Sequence, residues 1–205
     1  LTEVQSFYKD RFIDGGDFDF LFVGDFKFEV IEPLIEKYIG SLKSLDRNDI
    51  FIDHNIRRNQ NKEYIEYVEE DSKKATVIRI YNKEFNYSFK EKIKSRLLFS
   101  ILDKLLFDEV REKDNLVYSI SASKNFDQKI PIELMSFYTY FNSDPKNVDK
   151  IKDKIDLVIN KIKTKDFDLQ VFKDQKLALK NSYKSSLRSN GFWLNVLTDA
   201  RQHNL

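Results

Sequence analysis

Ile93, Leu97, Leu98, Ile101, Leu102, Leu105 and Leu106 recur at three- and four-residue spacing and make the cleanest helical stripe in the chain. A stripe this apolar must be covered, and the segments around it say what the cover is. Glu63 to Val68 and Ala75 to Tyr81 precede it, and Leu116 to Ser123 and Ile132 to Phe141 follow it. All four are rich in β-branched and aromatic residues, and the polar stretches Glu69 to Lys74 and Lys124 to Lys129 join them in pairs, as in hairpins. Strand pairs followed by helices, without a regular β-α alternation, predict an α+β domain whose antiparallel sheet is covered on one face by helices.

The flanking sequence extends this frame. Thr2 and Gln5 have the spacing of a capping box, and Val4, Phe7, Tyr8 and Phe12 follow at helical intervals, so a short helix is expected to open the chain. Phe18 to Val23 is a compact apolar run between Gly16 and Gly24 and predicts a strand buried on both faces. Val30, Ile31, Leu34, Ile35, Tyr38 and Ile39 predict a second helix, bent by Pro33 and closed by Gly40. Polar residues dominate 43–62, which is expected to be a linker. After the strands, Ser143-Asp144-Pro145 begins a helix carrying Val148, Ile151, Ile155, Val158 and Ile162. A weaker helix over 168–189 is expected to break at Asn190-Gly191, ahead of a last amphipathic segment whose Phe192 and Trp193 are expected in the core.

Composition excludes several classes. Thirty-five Lys and Arg against thirty-four Asp and Glu leave a net charge of +1, without the positive excess of a phosphate-backbone binder, so no nucleic-acid partner is expected. The absence of cysteine removes disulfides, thiolate chemistry and Cys-ligated zinc. No apolar run approaches the ~18 residues of a membrane span. His54 and His203 have no second ligand at metal-binding spacing, and no Gly-x-Ser-x-Gly turn or phosphate-cradling glycine loop exists. The start lacks both Met and a basic segment, so the chain is expected to be cut from something longer.

One polar cluster stands out: Arg111 to Tyr118, between the apolar helix and the strand that follows. Side chains at such a junction can project into a cleft from a rigid support. Arg111 offers a permanently charged fork of donors, and Tyr118 a neutral hydroxyl that can donate to a carbonyl oxygen or its oxyanion. The plainer alternative is an arginine balancing the helix dipole and a strand tyrosine packed at an edge.

At this junction the sequence resembles the C-terminal part of the pitrilysin/insulinase-type (M16) zinc metallopeptidases, in the style of the bacterial PqqL-like members. Phe7-Tyr8-Lys9-Asp10-Arg11-Phe12, Asp17 to Phe26, and Pro33 to Leu42 resemble the family's segment joining consecutive homologous domains. Arg111 and Tyr118 match its substrate-binding Arg and Tyr, and Gly191-Phe192-Trp193-Leu194 resembles a late structural segment. The resemblance implies a domain like those of LuxS and the mitochondrial processing peptidases, with residues 1–42 ending the preceding homologous domain and 63–205 a C-terminal domain cut short at its end. It also implies a peptide substrate, with Arg111 holding the backbone and Tyr118 stabilising the oxyanion. No cofactor is then expected in this fragment; zinc belongs to a His-x-x-Glu-His helix in the N-terminal half of the parent, which becomes this chain's partner in the same chain or another subunit. Alternatives are a non-catalytic structural relative of core-subunit type and a peptide-binding module that pairs at a sheet edge. The opening segment, separated from its cover, is expected either to pack in a non-native way or to associate with a second copy.

Overall fold

The computed structural model describes residues 1–45, 47, 50–57, 73–127 and 131–203. Helices α1 (Thr2–Arg11) and α2 (Phe28–Tyr38) are followed by strand β1 (Ala75–Glu84), helix α3 (Phe89–Leu106), strands β2 (Val117–Asp127) and β3 (Leu134–Ser143), and helices α4 (Val148–Thr164), α5 (Leu169–Ser186) and α6 (Asn190–His203). The chain divides into two compact units, Leu1–His54 with Ser186–Leu205, and Asn55–Ser185. Helix α6, which the sequence groups with residues 63–205, therefore clusters with the opening segment.

The larger unit is built on a three-stranded antiparallel sheet in the order β1-β3-β2. Tyr81 lies opposite Phe137, and their rings stack at 4.5 Å. The α+β architecture is the one the strand pairs predict. The predicted strand Glu63 to Val68 lies outside the described residues. The predicted loop Lys124 to Lys129 is strand as far as Asp127, because Lys124, Asn125 and Phe126 continue the pairing with β3.

Helix α3 begins where the Ser88 side chain accepts a hydrogen bond from the Glu91 N–H (3.2 Å). Its buried residues are Ser95, Phe99, Ile101, Leu102, Leu105 and Leu106. Leu98, predicted on the apolar face, is exposed, and Phe99 is buried instead. With Val110, Val117, Ile120, Phe141, Ile151, Ile155 and Val158, these apolar side chains form one core between α3, α4 and the inward face of the sheet. The opposite face of β1 stays open, with Ile78 and Ile80 58% and 55% exposed. Burying one face and leaving the other open gives β1 its alternating pattern. Arg79 ties β1 to α4 through Asp156 (2.9 Å) and the Lys152 carbonyl (3.2 Å).

In the smaller unit the capping box does not form: Leu1 is the N-cap of α1, Thr2 lies inside the helix, and no side chain caps it. Phe18 to Val23 forms no strand, since it pairs with no other strand among the described residues. A different device organises this segment. The Asp14 carboxylate accepts from the backbone N–H groups of Gly16 (3.0 Å), Leu45 (3.0 Å) and Arg47 (3.3 Å). The Gly15 N–H donates to the Lys43 carbonyl at 2.7 Å, and a Cβ at Gly15 would lie 2.7 Å from that of Leu42, so this approach requires glycine. Lys43, Leu45 and Arg47, predicted as linker, are thereby fastened to the Asp14 turn. Asn190 and Gly191 start α6 rather than breaking a helix; the break falls at 187–189. Trp193 is 43% exposed, and its indole N–H donates to the Leu187 carbonyl, which spans that break.

Candidate functional site

Arg111 and Tyr118 stand on either side of the connection between α3 and β2, and both local backbones are irregular. Helix α3 runs into a turn of π-helix over Phe107–Glu112, a widening of the ladder that recurs at functional positions. Arg111 lies in that turn, with its guanidinium 5.1 Å from the centre of the Phe107 ring. The turn closes when the Asn115 N–H donates to the Arg111 carbonyl (3.0 Å) and that of Leu116 to the Val110 carbonyl (3.2 Å). Asn115 adopts φ 48°, the left-handed region that asparagine tolerates better than most residues. Val110, fully buried, anchors the turn in the core.

Strand β2 enters the sheet through a β-bulge. Val117 lies opposite Ser143 and Ser119 opposite Asn142, which leaves Tyr118 as the extra residue between two successive partners. Its side chain is 60% exposed, while Val117 and Ile120 on either side are buried. A bulge turns one side chain out of the strand's alternation, and here it presents the tyrosine to solvent. The Lys74 ammonium lies 5.7 Å from the Tyr118 ring centre. Among the described residues, no hydrogen bond engages the Arg111 guanidinium or the Tyr118 hydroxyl, so both remain able to meet a ligand.

Ion pairs clamp this turn to the rest of the unit. Glu109 receives Lys113 (2.8 Å) from the turn itself and Lys161 (3.2 Å) from α4. Asp114 pairs with Lys154 of α4, and Lys104 of α3 with Asp108 at 2.7 Å. The hydrogen bond from Lys113, with help from Lys161, holds the Glu109 carboxyl below the usual range, and Lys154 does the same to Asp114. These carboxylates are spent on cations and serve as struts.

The sequence therefore points to both Arg111 and Tyr118, but not to the backbone that positions them. A π turn and a bulge leave no signature in hydrophobic spacing, and the spacing of Glu109 from Lys161, on different helices, is invisible before folding. Among the described residues, no group of three or more His, Cys, Asp or Glu side chains could hold a metal ion. Among the described residues, no helix is long and apolar enough to cross a membrane.

The fold and this turn define a helix-backed antiparallel α+β domain that displays an arginine and a tyrosine from one junction. The family model described as the Peptidase M16 inactive domain matches residues 1–179, and the chain belongs to that family. Among solved structures, it resembles the periplasmic protease PqqL from Escherichia coli (TM-score 0.72, 18% identity, 88% of this chain and 20% of that one). It also resembles a protease from Helicobacter pylori (TM-score 0.65, 20% identity, 89% of this chain and 44% of that one). The chain thus spans less than half the length of either protease, and at these identities the likeness is one of fold. No curated protein matches it.

Proposed function

We propose that this chain is the substrate-binding C-terminal domain of a zinc-dependent endopeptidase, with a peptide held by Arg111 and Tyr118. The observation that carries the reading is the construction of the α3–β2 turn: a bulge exposes Tyr118, a π turn carries Arg111, and ion pairs to α4 fix both. A rigid donor pair is what a reaction with a developing oxyanion requires, because preorganised donors need no rearrangement as charge appears. The Tyr118 hydroxyl would donate to the scissile carbonyl oxygen, and the Arg111 fork to backbone carbonyls beside it. Among the described residues no group of side chains fits a metal, and we assign zinc to the N-terminal half of the parent, as a partner in the same chain or a second subunit. This domain alone would neither retain zinc nor cleave peptides; stoichiometric zinc in the purified chain, with peptidase activity lost on chelation, contradicts that.

The direct test is Arg111→Lys in the assembled peptidase. A point charge cannot reproduce the planar fork, so the variant should bind peptide more weakly, raising KM by about tenfold, as expected for loss of one charge-assisted contact of about 1.5 kcal/mol. Unchanged kinetics in Arg111→Lys would remove arginine from the binding role.

A further inference from the structure

The face of the sheet turned away from α3 and α4 carries three successive cross-strand rows: Thr76, Asn142 and Ser119, then Ile78, Tyr140 and Ser121, then Ile80, Tyr138 and Ser123. None of these side chains is charged, in a chain whose residues are 34% charged. Ile78, Ile80, Tyr140 and Ser121 are exposed. An aliphatic and aromatic centre edged by hydroxyls, with no ion among them, suits contact with uncharged groups.

The first row is a hydrogen-bonded chain. The Thr76 hydroxyl donates to Asn142 Oδ1 (2.6 Å), and Asn142 Nδ2 donates to the hydroxyl oxygens of Ser119 (3.2 Å) and Tyr140 (2.6 Å). Tyr140 therefore leans along β3 out of its own row, and its hydroxyl sits beside the row that holds Ser119, the residue after Tyr118. A hydroxyl that accepts from an amide keeps its one hydrogen for another acceptor. Among the described residues, no group takes it. The bulge turns Tyr118 out at the same end of the sheet, so two tyrosine hydroxyls able to donate stand there on adjacent strands.

We propose that Tyr140 is a further substrate-binding residue beside Tyr118, donating to a backbone carbonyl of the peptide, and that the uncharged face it stands on selects substrate residues that are apolar rather than charged. This rests on the assignment of the peptide to Arg111 and Tyr118. The face falls to the substrate because it is continuous with that site: Ser119 follows Tyr118 in the chain, and the Asn142 amide links Ser119 to Tyr140. A charged substrate side chain laid on Ile78 and Ile80 would lose water and gain no counter-ion, whereas an aliphatic or aromatic one would cover their exposed surface.

The test uses the assembled peptidase and two fluorogenic peptides of equal length, one with Leu and Phe around the scissile bond and one with Glu in their places. The wild type should favour the apolar peptide by about tenfold or more in kcat/KM. Ile78→Lys should narrow or reverse that preference by gaining on the Glu peptide, a change that a packing role for Ile78 would not produce. Tyr140→Phe, which keeps the ring, should raise KM about three- to tenfold with kcat held, as for loss of one neutral hydrogen bond to bound substrate. If Ile78→Lys does not fold, Ser121→Lys, exposed in the same row on β2, takes its place. No preference in the wild type, a preference that the lysine variant retains in full, or an unchanged KM in Tyr140→Phe overturns the proposal. Wild-type kinetics in Arg111→Lys would overturn the Arg111–Tyr118 reading with it, whereas an impaired Arg111→Lys beside an unimpaired Tyr140→Phe overturns this inference alone.

Discussion

Single residues with unusual surroundings make the sharpest statements about this chain. Asp14 is 1% exposed and holds three backbone N–H groups; the bond from Leu45 is the largest influence keeping its carboxyl below the usual range. A depressed carboxyl contributes stability above its unfolded value and loses it as pH falls through the folded one. Exchange of the Leu45 amide should therefore accelerate as pH falls below the ordinary carboxylate range, after correction for intrinsic rates, and Asp14→Ala should show the fast rate at neutral pH. A protected Leu45 amide in Asp14→Ala would assign the closure to something else. Lys124 has the opposite pH signature: its folded pKa, about 8, lies below the ordinary ~10.4, so the unfolded chain binds the extra proton between these values. Stability of the larger unit should rise with pH across that window, and denaturant melts of Lys124→Met should lack this rise. The sequence shows Lys124 only as the start of a polar loop; what makes it unusual is its burial and the charges of Arg96 and Lys92 on α3, across the fold.

At the scale of elements, what was legible is what hydrophobic spacing encodes. The stripe from Ile93 to Leu106 fixes α3, and the alternation from Ala75 to Tyr81 fixes β1, because each buries one face. Phe18 to Val23 shows the limit, since an apolar run specifies burial or a strand only where a partner exists to accept it. The capping box shows another, since Thr2 and Gln5 satisfy the spacing while the helix starts one residue earlier. Element ends offer simple tests. Ser88→Ala should destabilise the larger unit by about 1 kcal/mol in chemical denaturation, through loss of the α3 cap. Lys165 ends α4 at φ 60°, so Lys165→Gly should stabilise by about 1 kcal/mol by relieving a left-handed residue. A destabilised Lys165→Gly would mean that the lysine side chain contributes more than its backbone strain costs.

For the whole molecule, the two units differ in how they bury apolar surface. The larger has a continuous core under its sheet, whereas in the smaller Phe7, Phe28, Leu34 and Tyr38 are each at least half exposed. Exposed apolar surface on this scale marks an interaction face, so light scattering should show concentration-dependent association, and residues 1–42 should exchange amide protons faster than α3. A strict monomer with equal protection in both would show the opening segment to be self-sufficient.

The central claim is that this M16 domain positions peptide for chemistry whose metal lies elsewhere, and Tyr118→Phe in the assembled peptidase tests it most directly. With zinc content and kcat measured on the same preparation, kcat should fall by ~10²–10³ while KM and bound zinc hold, as for loss of an oxyanion donor that strengthens in the transition state. A variant that keeps the wild-type kcat, or that loses activity only in proportion to lost zinc, contradicts the account.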